Sequence, residues 1–122
     1  MKMADIIAFE PDLPFSSRIQ SVSDRIGATN TITTVLDSLK KEFKACVPRA
    51  LIVNLDALRE KIIVFEELTK KRSYTILSYY SRVNRQLAEE GKRIGIDWVV
   101  PRAAFVARTE ELTRKVLNGV ES

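Results

Sequence analysis

Short apolar runs alternate along the chain with longer segments in which apolar residues recur every three or four positions. A short run bounded by turn residues reads as a buried strand, and the three-and-four spacing as one face of a helix. The first run, residues 5–9, carries Ile6, Ile7, Ala8 and Phe9 and is closed by Glu10, Pro11, Asp12, Leu13 and Pro14, where two prolines stop a strand. A helix follows with Phe15, Ile19, Val22 and Ile26 inward and Gly27 at its end. Residues 29–33 are mostly β-branched but lightly apolar, as on an edge strand. Thr34 and Asp37 have the spacing of a capping box ahead of Leu36, Leu39, Phe43 and Cys46, and Pro48 closes that second helix.

Residues 50–53, Ala50, Leu51, Ile52 and Val53, form a continuous apolar run of the kind buried on both faces, with Asn54 at its carboxyl end. Leu58, Ile62, Phe65 and Leu68 mark a third helix, whose end carries Lys70, Lys71 and Arg72 where the helix dipole favours cations. A fourth strand is predicted over residues 74–79. A fourth helix follows over 83–94 with Val83, Leu87 and Ile94 inward and Gly95 stopping it. Residues 96–100 give a fifth strand ended by Pro101, and Phe105, Leu112 and Val116 a last helix, with a frayed tail expected after Gly119. Five strand–helix units without a linker predict one domain over residues 1–122, an α/β fold with a doubly wound five-stranded parallel sheet. Ligands of such sheets bind beyond the carboxyl ends of the strands, which directs attention to Glu10, Asp12, Asn54, Asp56, Tyr80, Ser81 and Arg102.

Composition narrows the chemistry. A chain of 122 residues buries about 70% of its unfolded surface, enough for one core. Hydrophobic residues make up 45% and charged residues 30%, with no run near the roughly 20 residues that span a bilayer, so a soluble protein without membrane partners is expected. The start, Met1, Lys2, Met3, Ala4 and Asp5, shows no leader pattern and reads as cytoplasmic. Cys46 is the only cysteine, which excludes an intrachain disulfide and a thiolate metal cluster within one chain. There is no histidine, so Ser-His-Asp and Cys-His catalysis and histidine zinc sites are excluded. The net charge of +4 allows only weak attraction to acidic partners.

Two strings carry a family resemblance: residues 48–55 (Pro48, Arg49, Ala50, Leu51, Ile52, Val53, Asn54, Leu55) and residues 95–102 (Gly95, Ile96, Asp97, Trp98, Val99, Val100, Pro101, Arg102). The first resembles the string around the phosphorylated aspartate of response-regulator receiver domains, the family of the chemotaxis response regulator. The second resembles that family's string before a phosphate-contacting lysine. The resemblance covers nearly the whole chain and implies a flavodoxin-like (βα)5 fold with strand order 2-1-3-4-5. In an active receiver two acids after the first strand hold Mg²⁺, an aspartate accepts phosphate, and a Ser or Thr and a Lys sense it. Here Glu10 keeps one acid, while Pro11 removes the second together with a backbone donor, and Asp12 offers a partial substitute.

Asn54 stands at the acceptor position, and a neutral amide is too poor a nucleophile to form an acyl phosphate. It also withholds a charge from any Mg²⁺ site. Tyr80 and Ser81 follow the fourth strand, with Tyr80 at the Ser/Thr station, and Arg102 replaces the lysine. Arg102 is expected to pair with Glu10 or Asp12, to point into solvent, or to receive an external anion with Tyr80 and Ser81. Asp56 is either a displaced acceptor or a cap or loop residue.

A degenerate pseudo-receiver of this type is expected not to be an enzyme, to need no metal or cofactor, and to work as a phosphorylation-independent protein–protein interaction or regulatory module. The resemblance points to the face of helix four, strand five and helix five. It carries Arg82, Arg85, Lys92 and Arg93, then Arg108, Arg114 and Lys115 with Glu110 and Glu111, and Trp98 as a candidate anchor. Such mixed charge suits a two-fold homodimer or is simply a solvated face. An atypical regulator still switched by phosphate, Mg²⁺ or another anion is the alternative. Nucleic-acid binding through the basic faces ranks third, since no recognition motif accompanies them. A flavodoxin-like cofactor carrier would need a Gly-rich phosphate loop, which the turn after the first strand lacks.

Overall fold

The computed structural model describes residues 4–120. Five strands, β1 (Ile6–Phe9), β2 (Asn30–Thr33), β3 (Ala50–Asn54), β4 (Thr75–Tyr80) and β5 (Trp98–Pro101), pair in parallel in the order β2-β1-β3-β4-β5. This is the flavodoxin-like order, in which helices must cross over both faces to return the chain. The helices are α1 (Leu13–Arg25), α2 (Leu36–Ala45), α3 (Ile62–Thr69), α4 (Arg85–Arg93), α5 (Arg102–Ala107) and α6 (Thr109–Leu117). The predicted fold class is the observed one. Among the described residues, no helix is long and apolar enough to cross a membrane.

The strand period of two divides the core. Ile7, Phe9, Leu51, Val53 and Ile76 pack with Leu39, Phe65 and other residues of α2 and α3, with Leu87 of α4 at the margin. Ile6, Ala8, Ala50, Ile52, Leu77 and Tyr79 pack with Ile19 of α1, Phe105 of α5, and Leu112 and Val116 of α6. Both sides of β1, β3 and β4 are therefore covered, which is why their sequences run apolar without alternation. Asp12 caps α1, accepting from the Phe15 amide at 3.3 Å, and Gly27 ends the turn after it with φ 75°, a left-handed angle that suits glycine.

Four local expectations change. Thr34 does not cap α2: Val35 occupies that position and makes no side-chain cap bond. The third helix is shorter, because the chain first makes two 3-10 turns, Leu55–Ala57 and Arg59–Lys61. Val83 is not inward but 90% exposed, since it lies in a 3-10 turn, Arg82–Asn84, that precedes α4 and does not share its face. The last helix is broken at Arg108 (φ −131°, ψ 33°), where the Thr109 hydroxyl takes the Phe105 carbonyl at 2.5 Å in place of the backbone donor that a continuing helix would supply.

Trp98 lies on the edge strand β5. Its indole donates to the Val120 carbonyl at 2.7 Å, and the Val120 amide donates to the Lys115 carbonyl at 2.9 Å. The chain past Gly119 is thus tied down as far as Val120. The rest of the expected frayed tail, residues 121–122, and the start at residues 1–3 lie outside the described residues.

Candidate functional site

The carboxyl ends of β1, β3 and β4 meet on the face covered by α1 and α5. Glu10 directly follows β1, continuing the side of Ile6 and Ala8, and Asn54 ends β3 on the side of Ala50 and Ile52. The register sets Asn54 opposite Tyr79. These three side chains form one network. The Tyr79 hydroxyl donates to Glu10 Oε1 at 2.5 Å, and Asn54 Nδ2 reaches both Glu10 oxygens at 3.1 and 2.9 Å. The Asp12 amide donates to Glu10 Oε2 at 2.9 Å. Glu10 is fully buried, and a buried carboxylate is tolerated where donors satisfy its oxygens.

The orientation of the Asn54 amide follows from the same charge. Turning it over would press its oxygen against the carboxylate and lose both bonds. In the orientation observed, Oδ1 is buried and has no hydrogen-bond partner. Tyr79 holds its phenolic proton far above the ordinary tyrosine range, first because burial disfavours the phenolate, then because the Glu10 charge and hydrogen bond oppose it.

An aromatic column supports the network. Tyr79 stacks on Phe105 at 4.1 Å between centroids and on Phe15 at 5.5 Å, and the Arg102 guanidinium lies 4.3 Å from the Phe15 ring centre. The ion pair anticipated for Arg102 with Glu10 or Asp12 does not form. Glu10 is already saturated by donors, and a guanidinium that has no carboxylate to fork onto gains by stacking on an aromatic face.

The other predicted residues have different places. Tyr80 ends β4 opposite Pro101, half-buried against the opposite core, so Tyr79 and not Tyr80 faces Asn54. Asp56 ties two strand-tip loops together, accepting from the Ser81 amide and from Asn84 Nδ2, both at 2.9 Å. Asn84 also bonds the Ser81 hydroxyl at 3.3 Å. Removing this clamp by Asp56→Ala is expected to cost about 2 kcal/mol and to speed amide exchange at Ser81, measured by denaturant unfolding and hydrogen exchange. Pro11 is exposed beside the network. Among the described residues, no three His, Cys, Asp or Glu side chains are grouped to hold a metal ion.

On the candidate interface most cations are paired internally. Arg93 bonds Glu90 at 2.8 Å, Lys92 lies 3.9 Å from Glu89, Arg108 bonds Glu111, and Arg114 and Arg25 reach Glu110 at 3.4 and 3.1 Å. Lys115 lies 3.7 Å from Glu111 and 5.6 Å from the Trp98 ring centre. Arg82 and Arg85 are exposed and have no carboxylate partner among the described residues.

Tyr79 and Phe15 are the site residues that sequence reasoning missed. Burying a tyrosine at the end of a central strand requires a partner for its hydroxyl, and Glu10 was the acid available. No protein-family model matches the chain, and no curated protein is significantly similar to it.

Proposed function

We propose that the protein is a phosphorylation-independent interaction or regulatory module on a pseudo-receiver scaffold, its strand tips fixed in one state. The observation that carries this reading is the Glu10 carboxylate, fully buried and saturated by Asn54, Tyr79 and the Asp12 amide. A receiver needs that acid exposed to a metal and an aspartate facing it. Here Asn54 supplies a donor where a nucleophile would stand, Pro11 withholds the second acid, and Asp56 is occupied by Ser81 and Asn84.

With the tips closed to phosphotransfer, activity falls to surfaces that meet another protein, or a second copy, on the side of α4, β5, α5 and α6. Arg82 and Arg85, free of internal carboxylates among the described residues, are the charges there most able to steer a partner. Incubation with acetyl phosphate and Mg²⁺ should leave the intact mass unchanged. A stoichiometric phosphoryl adduct on the folded protein would overturn the proposal.

One observation favours a ligand-gated alternative, the unpartnered Asn54 Oδ1. If the tips still took Mg²⁺ or a phosphate mimic, amide resonances of Glu10, Asn54 and Tyr79 would shift on titration. They are expected to stay in place.

A further inference from the structure

α3 breaks the rule that a surface helix turns polar side chains to water. It opens with four consecutive apolar residues, Ile62, Ile63, Val64 and Phe65, of which only Ile62 and Phe65 are buried. Ile63 is 66% and Val64 40% exposed, and across the neighbouring groove Val35, ahead of α2, is 53% exposed. β-Branched residues are mediocre helix formers, so on a solvent face they contribute neither propensity nor burial. Val35, Leu36 and Val64 line a groove of about 340 Å³ between the starts of α2 and α3 together with Lys40, Lys61 and Asp37, and Ile63 is exposed next to Val64 in the chain.

We propose that this groove docks an acidic amphipathic helix of another protein, apolar side chains seated on Val35, Ile63 and Val64 and carboxylates meeting Lys40 and Lys61. Charge complementarity selects the partner. Lys61 has no carboxylate partner among the described residues, and Lys40 has only Asp37 at 3.9 Å, a pair exposed on both sides. Arg59, exposed in the turn before α3, adds a further cation. A second copy fits less well, because the chain carries +4 and would bring like charge to a basic rim. A small polar ligand fits less well too, because apart from Lys40, Lys61 and Asp37, of which Lys40 and Asp37 already pair, the lining is aliphatic. Two helices flanking an apolar trough are the usual seat for a third.

The presentation of the groove is fixed rather than incidental. The connection leading into α3 passes through Arg59 at φ 45°, a left-handed angle that non-glycine residues seldom hold, and the Arg59 Nε donates to the Asp56 carbonyl at 3.2 Å. The surface is distinct from that of α4, β5, α5 and α6, and it joins the strand tips through the β3–α3 connection that Asp56 anchors. A phosphoryl adduct is read by intact mass and docking by amide shifts at the groove, so this proposal and the closed-tip reading fail independently.

The test uses the full chain and three synthetic helical peptides: one with a leucine stripe flanked by glutamates, one with the same stripe flanked by lysines, and one with glutamates but serines in the stripe. Only the first is expected to bind, shifting the amides of Val35, Lys40, Lys61, Ile63 and Val64. Affinity should drop about tenfold or more in Ile63→Ser/Val64→Ser and in Lys40→Glu/Lys61→Glu, both of which alter exposed positions and should retain the wild-type circular dichroism spectrum. Equal or better binding of the lysine peptide, shifts mapping elsewhere, or no binding of any peptide overturns the proposal. So does self-association of the protein alone, seen by sedimentation and lost in Ile63→Ser/Val64→Ser, which would make a second copy the occupant.

Discussion

Replacing Asn54 by Asp, which puts an acid where the resemblance to receiver domains would expect one, is expected to destabilise the protein by about 3 kcal/mol at pH 7 without making it phosphorylatable. The substitution removes the Nδ2 donor that reaches both Glu10 oxygens and puts a second carboxylate in its place, in a site where Glu10 is fully buried. Two carboxyls this close cannot both ionise cheaply, so the introduced aspartate keeps its proton above its ordinary range. In that window the folded state binds more protons than the unfolded one, and stability therefore falls as pH rises. The variant should recover part of this, at no more than about 1.4 kcal/mol per unit, as pH is lowered toward the ordinary aspartate range, a dependence absent from the wild type at this position. Urea unfolding of both proteins between pH 4.5 and 7.5 checks it. A variant as stable as the wild type at pH 7 would mean that the Asn54–Glu10 bonds hold nothing.

What could be read from the sequence, and what could not, follows from how far each determinant lies along the chain. The run from Ala50 to Val53 declared a central strand by itself, because burial on both faces abolishes alternation. Gly27 and Gly95 marked helix ends because the positive φ there is a local demand. Val83 and Arg108 misled, since a 3-10 turn and a one-residue break rotate a stripe without changing the residues that form it. The choice between Tyr79 and Tyr80 needed the register of β3 against β4, which single-strand patterning does not contain.

The site itself was legible as a set of departures and illegible as a network. Glu10, Asn54 and Arg102 were recognisable by position, yet their partners were not, because Tyr79 lies 69 residues from the acid it bonds. That bond also decides the fate of Arg102. Once Tyr79 and Asn54 satisfy Glu10, the guanidinium has less to gain from the carboxylate, and Phe15, read from the sequence as a plain core residue, becomes its seat. An internal ion pair and a saturated carboxylate are alternative ways to neutralise the same buried acid, and the sequence contains the ingredients of both.

The tyrosine should accordingly matter through two separable parts. Tyr79→Phe keeps the ring in the column with Phe15 and Phe105 but removes the 2.5 Å bond to Glu10, and is expected to cost about 2 kcal/mol, since it strips a donor from a buried carboxylate. Tyr79→Ala also removes the ring and opens a cavity between two helices and the sheet, for about 4 kcal/mol in all. The pH dependence distinguishes the hydroxyl from generic packing. Tyr79 holds its proton above the ordinary value of 10.0 in the folded state, so above pH 10 the unfolded chain releases a proton that the folded one keeps, and wild-type stability falls as pH rises. Tyr74, pushed up to about 12 chiefly by burial, contributes the same slope to both proteins and cancels in the comparison. The gap between wild type and Tyr79→Phe should therefore narrow between pH 9 and pH 11, by as much as about 1.4 kcal/mol per unit above the ordinary tyrosine value. A gap that stays constant over that range would show that the hydroxyl is neither buried nor held by Glu10, and with it would go the closed network on which the fixed-tip reading stands.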